Sequence, residues 1–222
     1  MKKGIKTLLT VMFAAALVVN AVPDVADAAA DNTAYLAYAD EAWTYQYWGD
    51  PVDTGVVGTN AEITGPGQYT VGLDFTATAD GKALGLAFTA PIIAGGNVNF
   101  PGYFFQLDSI VINGAEVEFT KNYTSSDDGM ELRSNIYNTW VAALPDDART
   151  PDGSLDGASA VIVDPTLFTE VETITVTFTL LDAEGNAGVE AAVPQTGVVS
   201  MALIYGLGAL ATGAVVLKKR TK

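Results

Sequence analysis

Neither cysteine nor histidine occurs anywhere in the 222-residue chain. Without cysteine there is no disulfide, no thiolate nucleophile and no thiolate-bound metal. Without histidine the usual general base near neutral pH is missing, along with the commonest transition-metal ligand. Positive charge is scarce as well. Residues 31–197 hold only Lys82, Lys121, Arg133 and Arg149 against 24 acidic side chains, a net charge of −20. That surface repels nucleic acid and anionic lipid and favours cations or neutral polar ligands. What remains for chemistry is carboxylates, hydroxyls, amides and aromatic rings.

The other cations sit at the two ends. Lys2, Lys3 and Lys6 precede an apolar run over about 7–19, and small residues follow at Ala26, Ala28, Ala29 and Ala30. Residues 1–30 therefore read as a secretory signal peptide, the run being short for a membrane span of about 20 residues. At the other end, residues 198–217 are uncharged and just long enough to cross a bilayer as a helix. Lys218, Lys219, Arg220 and Lys222 follow and should remain cytoplasmic. Taken alone, that is a tail anchor.

Directly before the span stands Val193-Pro194-Gln195-Thr196-Gly197. Motif, span and basic tail together resemble the sorting signal of Gram-positive cell-wall proteins, whose consensus is Leu-Pro-any-Thr-Gly. The resemblance implies that sortase cuts between Thr196 and Gly197 and joins Thr196 to peptidoglycan or a pilin, with Pro194 supplying the bend and Gln195 the variable position. Val193 departs from the usual Leu and leaves open which sortase class reads the motif. The membrane then meets this protein only through its sorting helix, and its place is the cell surface, wall-anchored. Residues 182–192 are small and acidic, without apolar periodicity, and read as a flexible spacer.

Between them, residues 31–181 carry a β pattern and no amphipathic helix of any length. Tyr69, Val71, Leu73 and Phe75 alternate with Thr70, Gly72 and Asp74, and Ile174, Val176, Phe178 and Leu180 alternate with threonines. Asn113-Gly114 joins two further runs as a two-residue hairpin turn. A second hairpin is expected over 69–90, turning at Asp80-Gly81. Ten strands are expected, at 34–39, 43–48, 56–63, 68–78, 83–90, 104–112, 115–121, 131–138, 159–163 and 171–181. The fold class is all-β, a single β-sandwich with a jelly roll as first choice.

The aromatic residues are uneven. Trp43, Tyr45, Tyr47 and Trp48 crowd one segment, Tyr137 and Trp140 another, and Tyr103 follows a Pro-Gly turn. Sugars present flat C–H faces that stack on such rings, with amides and carboxylates ordering their hydroxyls. Gln46, Asn135 and Asn138 lie nearby in sequence. A period-two row is equally the mark of a buried strand face; if Trp43, Tyr45 and Tyr47 are core, Trp48 and Gln46 are the exposed pair. The segments 63–71 and 133–140 look like parts of carbohydrate-binding modules on clostridial surface proteins, which implies a glycan ligand.

Asp146, Asp147, Asp152 and Asp156 supply the hard oxygens that calcium takes, although their spacing is not that of an EF-hand; a solvated acidic loop is the competing reading. No carboxylate pair stands out as catalytic, and most nucleophilic triads are excluded. The expectation is a wall-anchored glycan-binding protein and no enzyme. The alternative is an adhesin or minor pilin, in which Lys121, beside Asn122, would be the cross-linking lysine.

Overall fold

The computed structural model describes residues 31–50, 54–126 and 130–188. The signal-peptide and sorting-signal assignments, Val193 to Gly197 among them, fall outside these residues. The described part is all-β, built mainly from two antiparallel sheets in a sandwich-like arrangement.

The second half of the chain supplies the clearest strand. Strand β13 (Thr173–Leu181) lies between β5 (Gly67–Asp74) and β8 (Phe104–Ile112), in a five-stranded sheet ordered β3-β5-β13-β8-β9. The edge strands are β3 (Val57–Thr59) and β9 (Ala115–Glu116). Ile174, Val176, Phe178 and Leu180 are fully buried, whereas the intervening threonines are half-buried on the outer face. Along β8 the alternation slips, because Phe105 and Leu107 are buried and then Ile110 and Ile112. Such a slip requires an extra residue, and the register shifts between Thr177 and Phe178 to leave Asp108 unpaired. The Asp108 carboxylate accepts hydrogen bonds from Gln68 (3.0 Å) and Thr179 (2.8 Å) on the polar face. The Asn113-Gly114 turn forms as expected, with both residues at positive φ (51° and 78°).

The other sheet is built on β1 (Thr33–Ala39) and β7 (Phe88–Ile93), paired from Ala34↔Ile93 to Ala39↔Phe88. β2 (Gln46–Tyr47) and β4 (Ala61–Glu62) extend it beside β1, and β10 (Leu132–Arg133) and β11 (Tyr137–Asn138) extend it beside β7. The two sheets meet where the Tyr38 ring packs on Phe75 (centroids 4.9 Å apart). Burial pushes the Tyr38 phenol well above its ordinary pKa, and its hydroxyl donates to the Gly85 carbonyl (2.9 Å).

Several expected strands differ. The hairpin over 69–90 does not form: β5 belongs to one sheet and β7 to the other, and the run 83–90 breaks at Gly85 (φ 71°). Its first part, β6 (Ala83–Leu84), pairs instead with β12 (Glu170–Val171). The run 43–48 shrinks to β2, and 159–163 is irregular. At 182–188 the expected spacer begins with an ordered loop, in which Asp182 accepts from the amides of Glu184 and Asn186.

The centre of this core yields a direct test. Phe178 is fully buried, with Phe105 at 4.7 Å and Tyr69 at 5.9 Å between centroids. Phe178→Ala is expected to cost about 3–5 kcal/mol in denaturant unfolding, and Thr177→Ser next to it less than about 0.5 kcal/mol.

Candidate functional site

Paired residues in an antiparallel sheet share a face. One row across the β1–β7 sheet therefore runs Gln46, Ala39, Phe88, Asn138, and the next runs Tyr47, Tyr38, Thr89, Tyr137. Tyr38 points to the sheet-to-sheet core, which places Phe88 on the opposite face. The chain has three tryptophans, and all three gather there. Trp48 stacks on Phe88 at 5.4 Å and 19° between ring planes. Trp140 lies 6.5 Å from Phe88, and Trp43 lies 5.3 Å from Trp140 at 36°. Arg133, entering on the same face beside Ile92, brings its guanidinium 5.7 Å from the Phe88 centroid.

Phe88 is 2% exposed, whereas Trp43 and Trp140 are 46% and 58% exposed. Trp48 is half-buried and donates its Nε1–H to Gln46 Oε1 (2.9 Å). The arrangement is layered: Phe88 at the base, Trp48 and Arg133 packed on it, and two adjoining indole faces open to solvent.

Local turns fix the two exposed rings. Asp40, 2% exposed, accepts from the amides of Thr44 (2.7 Å) and Tyr45 (3.3 Å), and the Trp43 amide donates to the Asp40 carbonyl. Burial pushes the Asp40 carboxyl above the usual aspartate value, and the amides of the turn pull the other way. Within this turn Trp43 adopts φ 56°, a left-handed conformation costly for a bulky residue. On the other side Asn138 Oδ1 accepts the Trp140 amide (2.9 Å), and the Thr139 amide donates to the Ala87 carbonyl.

Of the nine residues expected from sequence to contact a ligand, Trp43, Gln46, Trp48, Asn138 and Trp140 come together here. Tyr47 is buried on the core side, its ring lying where a side chain at Gly58 would stand and its hydroxyl donating to Gly49 and Asn60. Asn135 is fully buried and donates to Tyr123 (3.2 Å). Tyr137 is half-buried on the core-side row, and Tyr103 packs on Phe100 in a separate group. Phe88 and Arg133 carry no such signal in the sequence; Phe88 is recognisable only through its cross-strand partners.

The acidic loop does not assemble a metal site. Among the described residues no three acidic side chains are placed to hold an ion. Asp152 is engaged by Lys121 (2.9 Å), Thr150 and the Ser154 amide, and Asp147 accepts from Ser126, whereas Asp146 and Asp156 stay exposed. Lys121 thus faces a carboxylate, while the Asn122 amide is bonded to Phe105 and Leu107 along β8. A hollow of about 490 Å³ is lined by the single segment Glu116, Val117, Glu118 and Phe119.

The Lys121 ammonium, with Thr150 and the Ser154 amide, holds the Asp152 carboxyl well below the usual range. The unfolded chain then binds the proton more readily, so this contribution is present above about pH 4 and fades as pH falls below it. Asp152→Asn is expected to shrink the acid-induced loss of stability in urea titrations from pH 6 to 2.5, and to leave the tryptophan cluster unchanged by near-ultraviolet circular dichroism.

No protein-family model, no curated protein and no solved structure matches this chain, so the geometry of its residues alone carries the functional reading.

Proposed function

We propose that this chain is an exported, wall-anchored surface protein that binds polysaccharide or glycan on the platform formed by Trp43 and Trp140. The observation that supports this reading is the convergence of all three tryptophans on Phe88 with two ring faces left in solvent. A hydrophobic core gains nothing from a half-exposed indole held in a left-handed turn, whereas a sugar gains a flat apolar surface. The two rings lie 5.3 Å apart between centroids at a 36° tilt, and their solvent-facing parts offer a sugar an apolar surface. Gln46 and Asn138 lie in the row beneath, each already holding one of the surrounding groups in place.

Binding rather than catalysis fits the same site. Its side chains are indole rings, two amides and a guanidinium, groups that bind and orient a ligand. A jelly-roll reading of the two sheets is compatible with the strand orders β3-β5-β13-β8-β9 and β10-β7-β1-β2. Export by residues 1–30 and sortase attachment at Thr196 would present the domain at the cell surface, and the acidic surface would keep it soluble there.

Two experiments test the proposal. In a glycan array followed by calorimetry, Trp140→Ala should weaken binding at least about tenfold. Trp43→Gly should weaken it as well while keeping or raising the unfolding midpoint, because glycine relieves the left-handed turn. Binding unchanged in both variants, or capture of proteins with no glycan bound, would replace the glycan reading with a protein adhesin. For anchoring, Thr196→Ala is expected to move the protein from the wall fraction to the membrane or the medium.

A further inference from the structure

The Trp43–Trp140 platform and the point where the chain leaves the domain stand at opposite poles. Strand β1 runs toward Ala39 and β7 returns from Phe88, so the Ala39–Phe88 pair marks one end of their sheet and Ala34–Ile93 the other. Trp43 follows β1 past the Ala39 end, and Trp140 follows Asn138, the residue paired with Phe88. Both exposed rings therefore lie at the Ala39–Phe88 end.

The second sheet is oriented the same way. Tyr38 meets Phe75, one residue past the end of β5, which sets Asp74 and its partner Thr173 at the platform pole. Gly67 and its partner Leu180 then lie at the far pole. The chain also enters there: the Asn32 amide donates to the Ala94 carbonyl (2.9 Å), and the Asn32 carbonyl accepts from Ile63 (2.8 Å), four residues before Gly67. From Thr173 to Leu181 along β13 the two poles are about 27 Å apart.

Past Leu181 the chain is first folded back. The Asp182 carboxylate accepts from the amides of Glu184 (3.0 Å) and Asn186 (2.7 Å), and both of its oxygens take the Asn186 side-chain amide. Gly188 closes on Pro66, where an added Cβ would sit 2.9 Å from the carbonyl oxygen. Gly188 is thus held at the far pole, and the eight residues from there to Thr196 reach at most about 28 Å. Were residues 182–188 extended as well, the reach would be about 49 Å. The ordered loop therefore shortens the tether to about the length of the domain. With Thr196 joined to a wall strand, the rings could touch that strand only if the tether lay straight along the whole side of the domain, which gives up nearly all of its conformational freedom.

We infer that the platform faces away from the strand to which the protein is joined and takes a neutral polysaccharide supplied from outside the cell's own wall. The inference rests on the glycan and anchoring readings and narrows the source of the ligand. Both ends of the described domain, Asp31 and Gly188, leave the platform pole clear for a long polymer. The net charge of −20 over residues 31–197 turns anionic polymers away and leaves neutral ones.

The test has two arms. Cells carrying the intact chain on their wall are incubated with fluorescein-labelled mannan, laminarin and dextran, and with any glycan bound on the array. The intact chain in detergent is sedimented with sacculi purified from the same cells lacking it. The anchored cells are expected to retain at least one labelled polymer, with retention falling at least about tenfold in Trp140→Ala. The chain in detergent should sediment with sacculi no more than Trp140→Ala does. Trp140-dependent sedimentation with sacculi overturns the inference and leaves the glycan platform standing. An array glycan bound by the chain in detergent but not by the anchored cells overturns it as well. If neither polymer, sacculi nor array glycan is bound, the platform reading falls together with the inference.

Discussion

The β1–β7 ladder is buried on both faces, and the remainder of the structure is arranged around that constraint. From Ala34 to Ala39 no residue of β1 is more than 7% exposed. Ala34, Leu36 and Tyr38 share one face, the one that meets the second sheet at Phe75. Tyr35, Ala37 and Ala39 share the other, opposite Ile92, Ala90 and Phe88. A sandwich of two sheets covers only one face of each, so this second face needs a cover of its own. Small residues at Ala37, Ala39 and Ala90 leave room for long side chains to lie along it. Arg133 does so, from the Ile92 row back to Phe88, and Trp48 closes over Phe88 from the edge. The candidate site is the outermost part of this cover, and its rigidity comes from the ladder beneath it.

That arrangement decides what could be read from the sequence. Strands with one solvated face announce themselves by alternation, and β8 and β13 stand close to their expected bounds, with the Asn113-Gly114 turn between β8 and β9. β7 is apolar on both faces and shows no alternation, so its run was joined to the nearest preceding strand across Asp80-Gly81. At Phe88 its partners are Ala39, 49 residues upstream, and Asn138, 50 residues downstream. Local turn signals cannot report pairings of that kind. The aromatic segment 43–48 departs from its expected strand for a different reason. Its period-two row suggested a strand, but the Asp40 carboxylate captures the amides of Thr44 and Tyr45 and folds the segment into a turn. Tyr45 and Tyr47 then go inward, while Trp43 is turned out. The five ligand-binding candidates that meet in space were all named from sequence, but nothing in sequence showed that they meet.

Exposure of Trp43 and Trp140 carries a physical cost that the acidic surface makes bearable. Adjacent exposed indoles form an apolar patch of the kind that promotes association between copies. A net charge of −20 over residues 31–197 opposes such contact by repulsion between molecules. The same field acts on ligands, because it lowers the local concentration of anions and raises that of cations near the rings. Stickiness and selectivity are therefore linked here: the charge that keeps the aromatic patch from pairing with itself also sets which charged molecules can approach it.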